Sequence, residues 1–532
     1  NDGNISLRGS GNVMILIDGR PSAMSGGSEG ALDAIPASAI ERVELITNPS
    51  AKYDPDGTAG IINIVLKKNK LRGTNTSIDL TAATGNLYNG SVNFNARNND
   101  WNFFTNYSFR YQEGFRDNMN IRNGFVNDTL ITLFQDRAGM DNRRSHTGKI
   151  GLDYKISDRQ ALGLSASGTY NDRARTGDQF NLNSFNDTLN RFWRRTTYDP
   201  RNRQSIDLNA DYKLDFEDGK GDLIAIATQS FGVSDALGRY EEYFFMPSGQ
   251  PLPDDFFFQF QTGVSEESTF TGSVDIQRNQ TDDFRYETGA KAIIRSQFRS
   301  NYLESLNQQT GEIEPNFNVI NDFVFDEQIL AVYGIAAHQF KGFKYQVGMR
   351  LEQAFTQPQL LTTNEDFENN YFSAFPSAHI IYGDEEKKGE WSLSYSRRIN
   401  RPNTWHLNPF PVFSDPLNLR QGNPAVQPEY INSVESGYQK KWKNLTISGS
   451  LYFRQTVDKI QRVRQFFPDN VSITTFANIA ESYDFGSELI AIYSPFKWWK
   501  NIISFNGFET RLNANVNGVD LRNSGFSYNV KY

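Results

Sequence analysis

The sequence predicts a mostly β protein: a large antiparallel β-barrel of transmembrane type, preceded by a small α+β unit. Three observations carry that expectation. From about residue 71 onward, apolar and polar residues alternate in segments of about ten residues, the length of strand that crosses a bilayer. The connections between these segments are short and long by turns. No stretch approaches the ~18 consecutive apolar residues that a spanning helix needs. Composition agrees: the 532 residues are 38% hydrophobic and 14% aromatic, with 41 Phe, 24 Tyr and 41 Gly, too aromatic for disorder and too polar for helical spans.

The N-terminal unit reads first as an apolar run, Val13-Met14-Ile15-Leu16-Ile17, closed by a turn at Asp18-Gly19-Arg20-Pro21. Residues 31–35 and 37–40 carry short helical patterns broken by Pro36, and residues 42–46 and 61–66 read as strands. After Lys67-Lys68 the period changes to two. Trp101, Phe103, Thr105, Tyr107, Phe109 and Tyr111 share one face against Asn102, Asn106, Ser108, Arg110 and Gln112, with Phe104 the exception. Ile206, Leu208, Ala210, Tyr212, Leu214 and Phe216 likewise oppose Asp207, Asn209, Asp211, Lys213 and Asp215. Residues 150–156, 270–276, 345–351, 391–395 and 447–453 repeat the pattern. A Lys or Arg turned toward mid-bilayer costs ~2–4 kcal/mol, so the apolar faces must point outward and the lumen must be polar.

Tight turns are expected at 98–100, 157–159, 217–221, 279–283, 341–342, 384–389 and 442–444, with long Asn-, Pro- and aromatic-rich connections such as 113–145 between them. In an up-and-down meander every second connection lies on one rim, so the short turns fall at one end and the long loops at the other. Counting in this way gives roughly eighteen strands. Trp498 and Trp499, beside a tight turn, suit the aromatic girdle at the inner membrane interface.

Other function classes lose their support residue by residue. The chain has no cysteine, which removes disulfides, thiolate metal sites and cysteine nucleophiles. Its net charge is −8 and its 54 Lys and Arg are scattered, unlike the basic stripe of a nucleic-acid binder. His146, His338, His379 and His406 lie far apart and outside any metal-ligand spacing, and there is no GxSxG elbow or phosphate loop. Asp54-Pro55-Asp56-Gly57 imitates a calcium loop, but Val65 occupies the position of the bidentate Glu, so a structural turn is the better reading. Neither catalysis nor a cofactor or metal site is expected.

The first 68 residues resemble the C-terminal half of the plug domain of TonB-dependent outer-membrane receptors. The resemblance rests on the stretch from Val13 through Pro21, on Ile35-Pro36, on Ile40-Glu41-Arg42-Val43-Glu44-Leu45-Ile46-Thr47-Asn48-Pro49-Ser50-Ala51-Lys52-Tyr53, and on Gly57-Thr58-Ala59-Gly60-Ile61-Ile62-Asn63-Ile64-Val65-Leu66-Lys67-Lys68. Further along, Tyr395-Ser396-Arg397-Arg398-Ile399-Asn400-Arg401-Pro402, Leu407-Asn408-Pro409-Phe410, Gly422-Asn423-Pro424 and Gln427-Pro428-Glu429 look like the barrel signature of the same receptors. The resemblance implies a plug piece at 1–70 inside a barrel at 71–532, about 22 strands in the parent protein. It places the TonB box and the first half of the plug before Asn1, and the last barrel strands after Tyr532.

The same resemblance implies a bacterial outer-membrane receptor importing a scarce nutrient, foremost a ferric siderophore or other metal chelate, with outer-membrane lipid, TonB and a surface lipoprotein as partners. Oligosaccharide or peptide uptake, and a secretion or scaffolding barrel, stand as alternatives. Arg42 and Glu44 would pair with the barrel wall, or else lie on a solvated edge strand. Asp18, Gly19, Arg20, Pro21, Gly57 and Gly60 belong to the plug motif, the glycines allowing a sharp bend before the last plug strand. Tyr240, Tyr243, Phe244 and Phe245 fall in an expected outer loop, where exposed aromatics serve recognition or extend the strands above the membrane. Arg398, Arg401, Trp405 and His406 form a second candidate ligand surface, with a shared structural role as the alternative.

Overall fold

A computed structural model of the chain describes residues 13–17, 40–57, 60–66, 73–126, 129–317, 320–384, 389–411, 417–467, 471–496, 498–516 and 519–532. The plug turn Asp18-Gly19-Arg20-Pro21 and the helical patterns at 31–35 and 37–39 lie outside the described residues. The N-terminal unit is a three-stranded sheet of β1 (Met14–Ile17), β2 (Ile40–Ile46) and β3 (Ile61–Leu66), with β3 in the middle. β1 runs parallel to β3 and β2 antiparallel to it.

Beyond it, strands from Gly73–Ala83 to Val519–Lys531 form one large sheet that curls as a barrel, the long ones pairing antiparallel in sequence order and Asn418–Arg420 running parallel to Ser472–Phe496. Three of them, Ile313–Pro315, Glu365–Asp366 and Asn418–Arg420, are short pieces in outer connections. The remaining long strands among the described residues number eighteen, as the sequence rhythm anticipates. The expected inner turns at 98–100, 157–159, 217–221, 279–283, 341–342 and 442–444 are present, and residues 385–388 of the expected turn at 384–389 lie outside the described residues. At 341–342 the hairpin closes in two residues, with Lys341 at φ 46° and Gly342 at φ 81°, the paired left-handed backbone of a type I′ turn whose twist suits the flanking strands.

The long connections differ from expectation. Residues 113–126 and 129–145 are not loop: they continue the ladder, so that Trp101–Val126 and Thr129–Ser157 span 26 and 29 residues. Backbone pairing above the bilayer satisfies N–H and C=O groups that a loop would leave to water, so Asn-rich composition does not end the strand. Tyr240, Tyr243, Phe244 and Phe245 sit inside such an extension, Gly221–Phe245, rather than in a free loop.

Burial is inverted relative to a soluble fold. Ile150, Leu152, Ile206, Leu208, Leu330, Val332 and Val347 are exposed on the outside, while Asp207, Glu327, Arg350 and Glu352 are buried inside. Alternation with charge inward and apolar side chains outward is stable only where the outside is lipid. No helix among the described residues is long and apolar enough to cross a membrane, and the crossing belongs to the strands. Near the inner turns, Phe343 meets Tyr382 with ring centroids 4.3 Å apart and Phe496 stacks on Trp498 at 5.6 Å, an aromatic belt.

Candidate functional site: the plug seat

The segment after β2, residues 48–57, enters the barrel lumen and is fastened there by inward-facing residues of five strands. Asn48 donates from Nδ2 to Ser394 Oγ at 2.8 Å and to Glu435 Oε2 at 3.0 Å, and accepts from Ser396 Oγ at 3.2 Å. Ala51 packs on Tyr333 and Ile335. Lys52 lies 3.7 Å from Glu287. These contacts hold the near end of the turn.

At its centre Asp54 is buried and takes two cations from different strands: Lys291 Nζ at 2.5 Å and Arg350 Nη2 at 2.9 Å. Burial alone would push its carboxyl up; Lys291, Arg350 and Arg401 overcome that and hold it down at about 2. Arg350 also donates from Nε to Glu352 Oε1 at 2.7 Å. Arg401 donates from Nη1 to Asp56 Oδ2 at 2.5 Å and bridges to Glu352. The charges thus form one chain of alternating sign: Lys291, Asp54, Arg350, Glu352, Arg401, Asp56.

Arg398 does different work, for its guanidinium meets backbone rather than carboxylate. Nε donates to Gly57 O at 3.0 Å, and Nη2 to Asp54 O at 3.1 Å and to Asp56 O. Five donors in a rigid fork suit a turn whose carbonyls all point one way. Ile399 N adds a bond to Pro55 O at 3.1 Å. The turn can close because Gly57 adopts φ 78°, where a Cβ would stand 2.6 Å from Met14 Cβ and N. Gly60, at φ 129°, brings its carbonyl to Met14 N at 3.0 Å and so joins the turn to β1.

The site redistributes the residues singled out from sequence. Among the described residues, the ion pairs of Arg42 are with Glu41 and Glu44 on its own strand, and Glu44 also accepts from Asn63 Nδ2 at 2.7 Å. The wall is gripped instead by Asn48, Asp54 and Asp56. Arg398 and Arg401, taken as candidate ligand residues, are buried against the plug turn. Trp405 packs on the apolar cluster of Phe323, Phe325, Leu360, Leu407, Val426 and Phe476. His406 caps the one-turn helix Thr404–Leu407 through Asn403 and lies edge-on to Phe476 at 4.7 Å. Tyr240 is buried in the lumen under the Arg195 guanidinium at 4.5 Å, while Tyr243 is exposed and donates to Glu241 at 2.8 Å. Phe244 lies under Arg191 at 4.1 Å and Phe245 stacks on Phe192 at 4.9 Å.

Residues 215–532 match the outer membrane protein beta-barrel family, and residues 1–61 match the TonB-dependent receptor plug domain. The chain belongs to the outer membrane β-barrel family of TonB-dependent receptors. Its place is the bacterial outer membrane. The family and fold are those of receptors and transporters rather than enzymes. The copper transporter OprC superposes with a TM-score of 0.66 at 14% identity, over 97% of this chain and 77% of that one. The siderophore receptor PirA from Pseudomonas aeruginosa does so with a TM-score of 0.54 at 12% identity, over 98% of this chain and 84% of that one. In sequence, the rhizobactin receptor of Rhizobium meliloti (strain 1021) is 35% identical over 81 residues, which is 15% of this chain and 11% of that protein.

Proposed function

We propose that the protein is an active transporter that captures a metal chelate, foremost a ferric siderophore, at the outer mouth of the barrel and passes it inward when the plug is displaced. TonB supplies the pull. The names of the relatives support the substrate class: a rhizobactin receptor in sequence, siderophore receptors and a copper transporter in fold.

The observation that carries the reading is the chemistry of the seat. Its described fastenings are hydrogen bonds and ion pairs, with Ala51 the apolar exception. A polar contact exchanged for water changes free energy by only about 1 kcal/mol net, so a polar seat can be opened and remade by a mechanical pull. In this reading Tyr243, Phe244 and Phe245 offer the arriving ligand an aromatic surface at the outer rim, and a surface lipoprotein is a further partner.

The test is the abundance of the protein in its host's outer membrane under iron starvation and iron repletion, with uptake of radioactive iron measured in a deletion strain. A large rise on starvation together with lost uptake supports the proposal. Unchanged abundance and unchanged iron uptake would overturn it and direct attention to oligosaccharides, peptides or secretion.

A further inference from the structure

High on the inner wall, four adjacent strands, Trp101–Val126, Thr129–Ser157, Gln160–Phe185 and Thr188–Asp215, place five arginines around two aspartates. Asp141 is the hub. Arg173 holds it with two bonds, Nε to Oδ1 at 2.6 Å and Nη2 to Oδ2. Arg116 reaches Asp141 Oδ2 at 3.0 Å and Arg143 at 3.3 Å, whereas Arg175 Nε stands 3.6 Å away. Next along the arc, Arg201 pairs with Asp199 at 3.2 Å. In register, Arg143 lies opposite Arg173, Arg173 opposite Arg201, and Arg175 opposite both Asp141 and Asp199. The arc therefore carries a fixed excess of three positive charges.

Asp141 is only 4% exposed in its side chain and its two oxygens are shared among four guanidiniums, so it has no further capacity. Arg175 Nε is buried without a hydrogen-bond partner. Burial, Arg173 and Arg116 together pull the Arg175 guanidinium down to about 10. Asp141 and Arg175 lie some fifteen residues beyond the inner turn at 158–159, about 35 Å up a tilted strand, above the ~25 Å apolar band. The side chains of Arg116, Arg143 and Arg201 are part exposed on the same inward face. A guanidinium fork fits carboxylate, phosphate and similar oxyanions two atoms at a time.

We propose that this arginine arc is the recognition site for a polyanionic ligand, one presenting several carboxylate, phenolate or phosphate oxygens to the lumen above the plug. The inference rests on the transporter reading and narrows it, because a neutral chelate gains nothing from three uncompensated charges. Asp141 acts as a positioning residue that splays the guanidiniums and keeps their outer donors turned to the lumen.

The test uses the full-length receptor in detergent, with ferric dicitrate, ferric enterobactin and iron-free pyrophosphate as polyanionic probes and neutral ferrichrome as the control. Wild type is expected to bind at least one polyanion, more weakly as salt rises, because fixed charges are screened. R173Q/R175Q is expected to lose at least about tenfold in that affinity, and R116Q/R201Q, at more exposed positions, a similar amount. R175K, which keeps the charge, should retain most of it. Heat-dependent gel mobility verifies that each variant is a folded barrel. Failure of wild type to bind any of the three polyanions, or equal binding by the folded variants, overturns the proposal. Binding of ferrichrome but of none of the polyanions would sink the arc and spare the transporter; pyrophosphate binding that depends on the arc, with no response to iron, would do the reverse.

Discussion

Asp54 is the residue on which the seat turns. Substituting Asn leaves Lys291 and Arg350 facing one another in a buried site without their carboxylate, a change that costs about 3–5 kcal/mol where one partner of a buried pair is removed. Asp54→Asn is therefore expected to loosen the plug, read as faster limited proteolysis of residues 48–57 with the barrel's heat-dependent gel mobility unchanged. Protonation should do the same reversibly. The seated carboxyl titrates near 2 against an ordinary 3.8, so the folded state binds fewer protons there than the unfolded one. Its contribution, about 2 kcal/mol, is complete above pH ~4 and is lost as the pH falls toward 2. Plug protection against an acid-stable protease should fall through that window, and Asp54→Asn should abolish the dependence.

These residues were only half legible in the sequence. The turn at 54–57 is readable from Asp, Pro and Gly chemistry, and its failure as a calcium loop follows from Val65. Its partners are not readable, because Asp54 and Arg350 are 296 positions apart and no local pattern links them. Arg42 and Glu44 drew attention as charges on a plug strand, yet two residues that share one side of a strand satisfy each other first. Arg398 shows the converse. Its neighbours suggested a ligand surface or a shared structural role, and its guanidinium gathers three backbone carbonyls of the plug turn.

At the scale of elements, strict alternation specifies each strand twice over, once for its existence and once for the side that meets lipid. Leu208 is exposed outward, and Asn209 faces in, where it accepts from Thr228 Oγ1 at 2.9 Å. Leu208→Arg is expected to reduce the free energy of folding into lipid vesicles by ~2–4 kcal/mol at mid-bilayer depth, and Asn209→Ser to leave it nearly unchanged. Equal effects from the two would mean that the faces are misassigned. The inner turns were legible because their geometry demands particular residues, as Lys341-Gly342 illustrates. The outer connections were not. Above the bilayer the outward face no longer has to be apolar, so alternation fades while the hydrogen-bonded ladder from 113 to 145 continues.

For the whole molecule, the barrel is a container and the plug a stopper held by charge. The inward-folded residues 401–411 and 417–427 reinforce this, with Leu407 and Val426 packed on Phe323 and Phe325 of the wall and Arg401 on Asp56 of the plug. The proposed transport requires that the stopper leave its seat while the wall stays closed. The chain has no cysteine, so two introduced thiols can join plug to wall without competing sites. Asn48 and Ser394, in contact at 2.8 Å, are the pair to use, bridged by a short bis-methanethiosulfonate reagent that a reductant removes. In cells producing Asn48→Cys/Ser394→Cys receptor, bridging is expected to stop uptake of the imported chelate while leaving its surface binding intact, and reduction to restore it. Uptake that continues unchanged across a bridged seat would contradict the account.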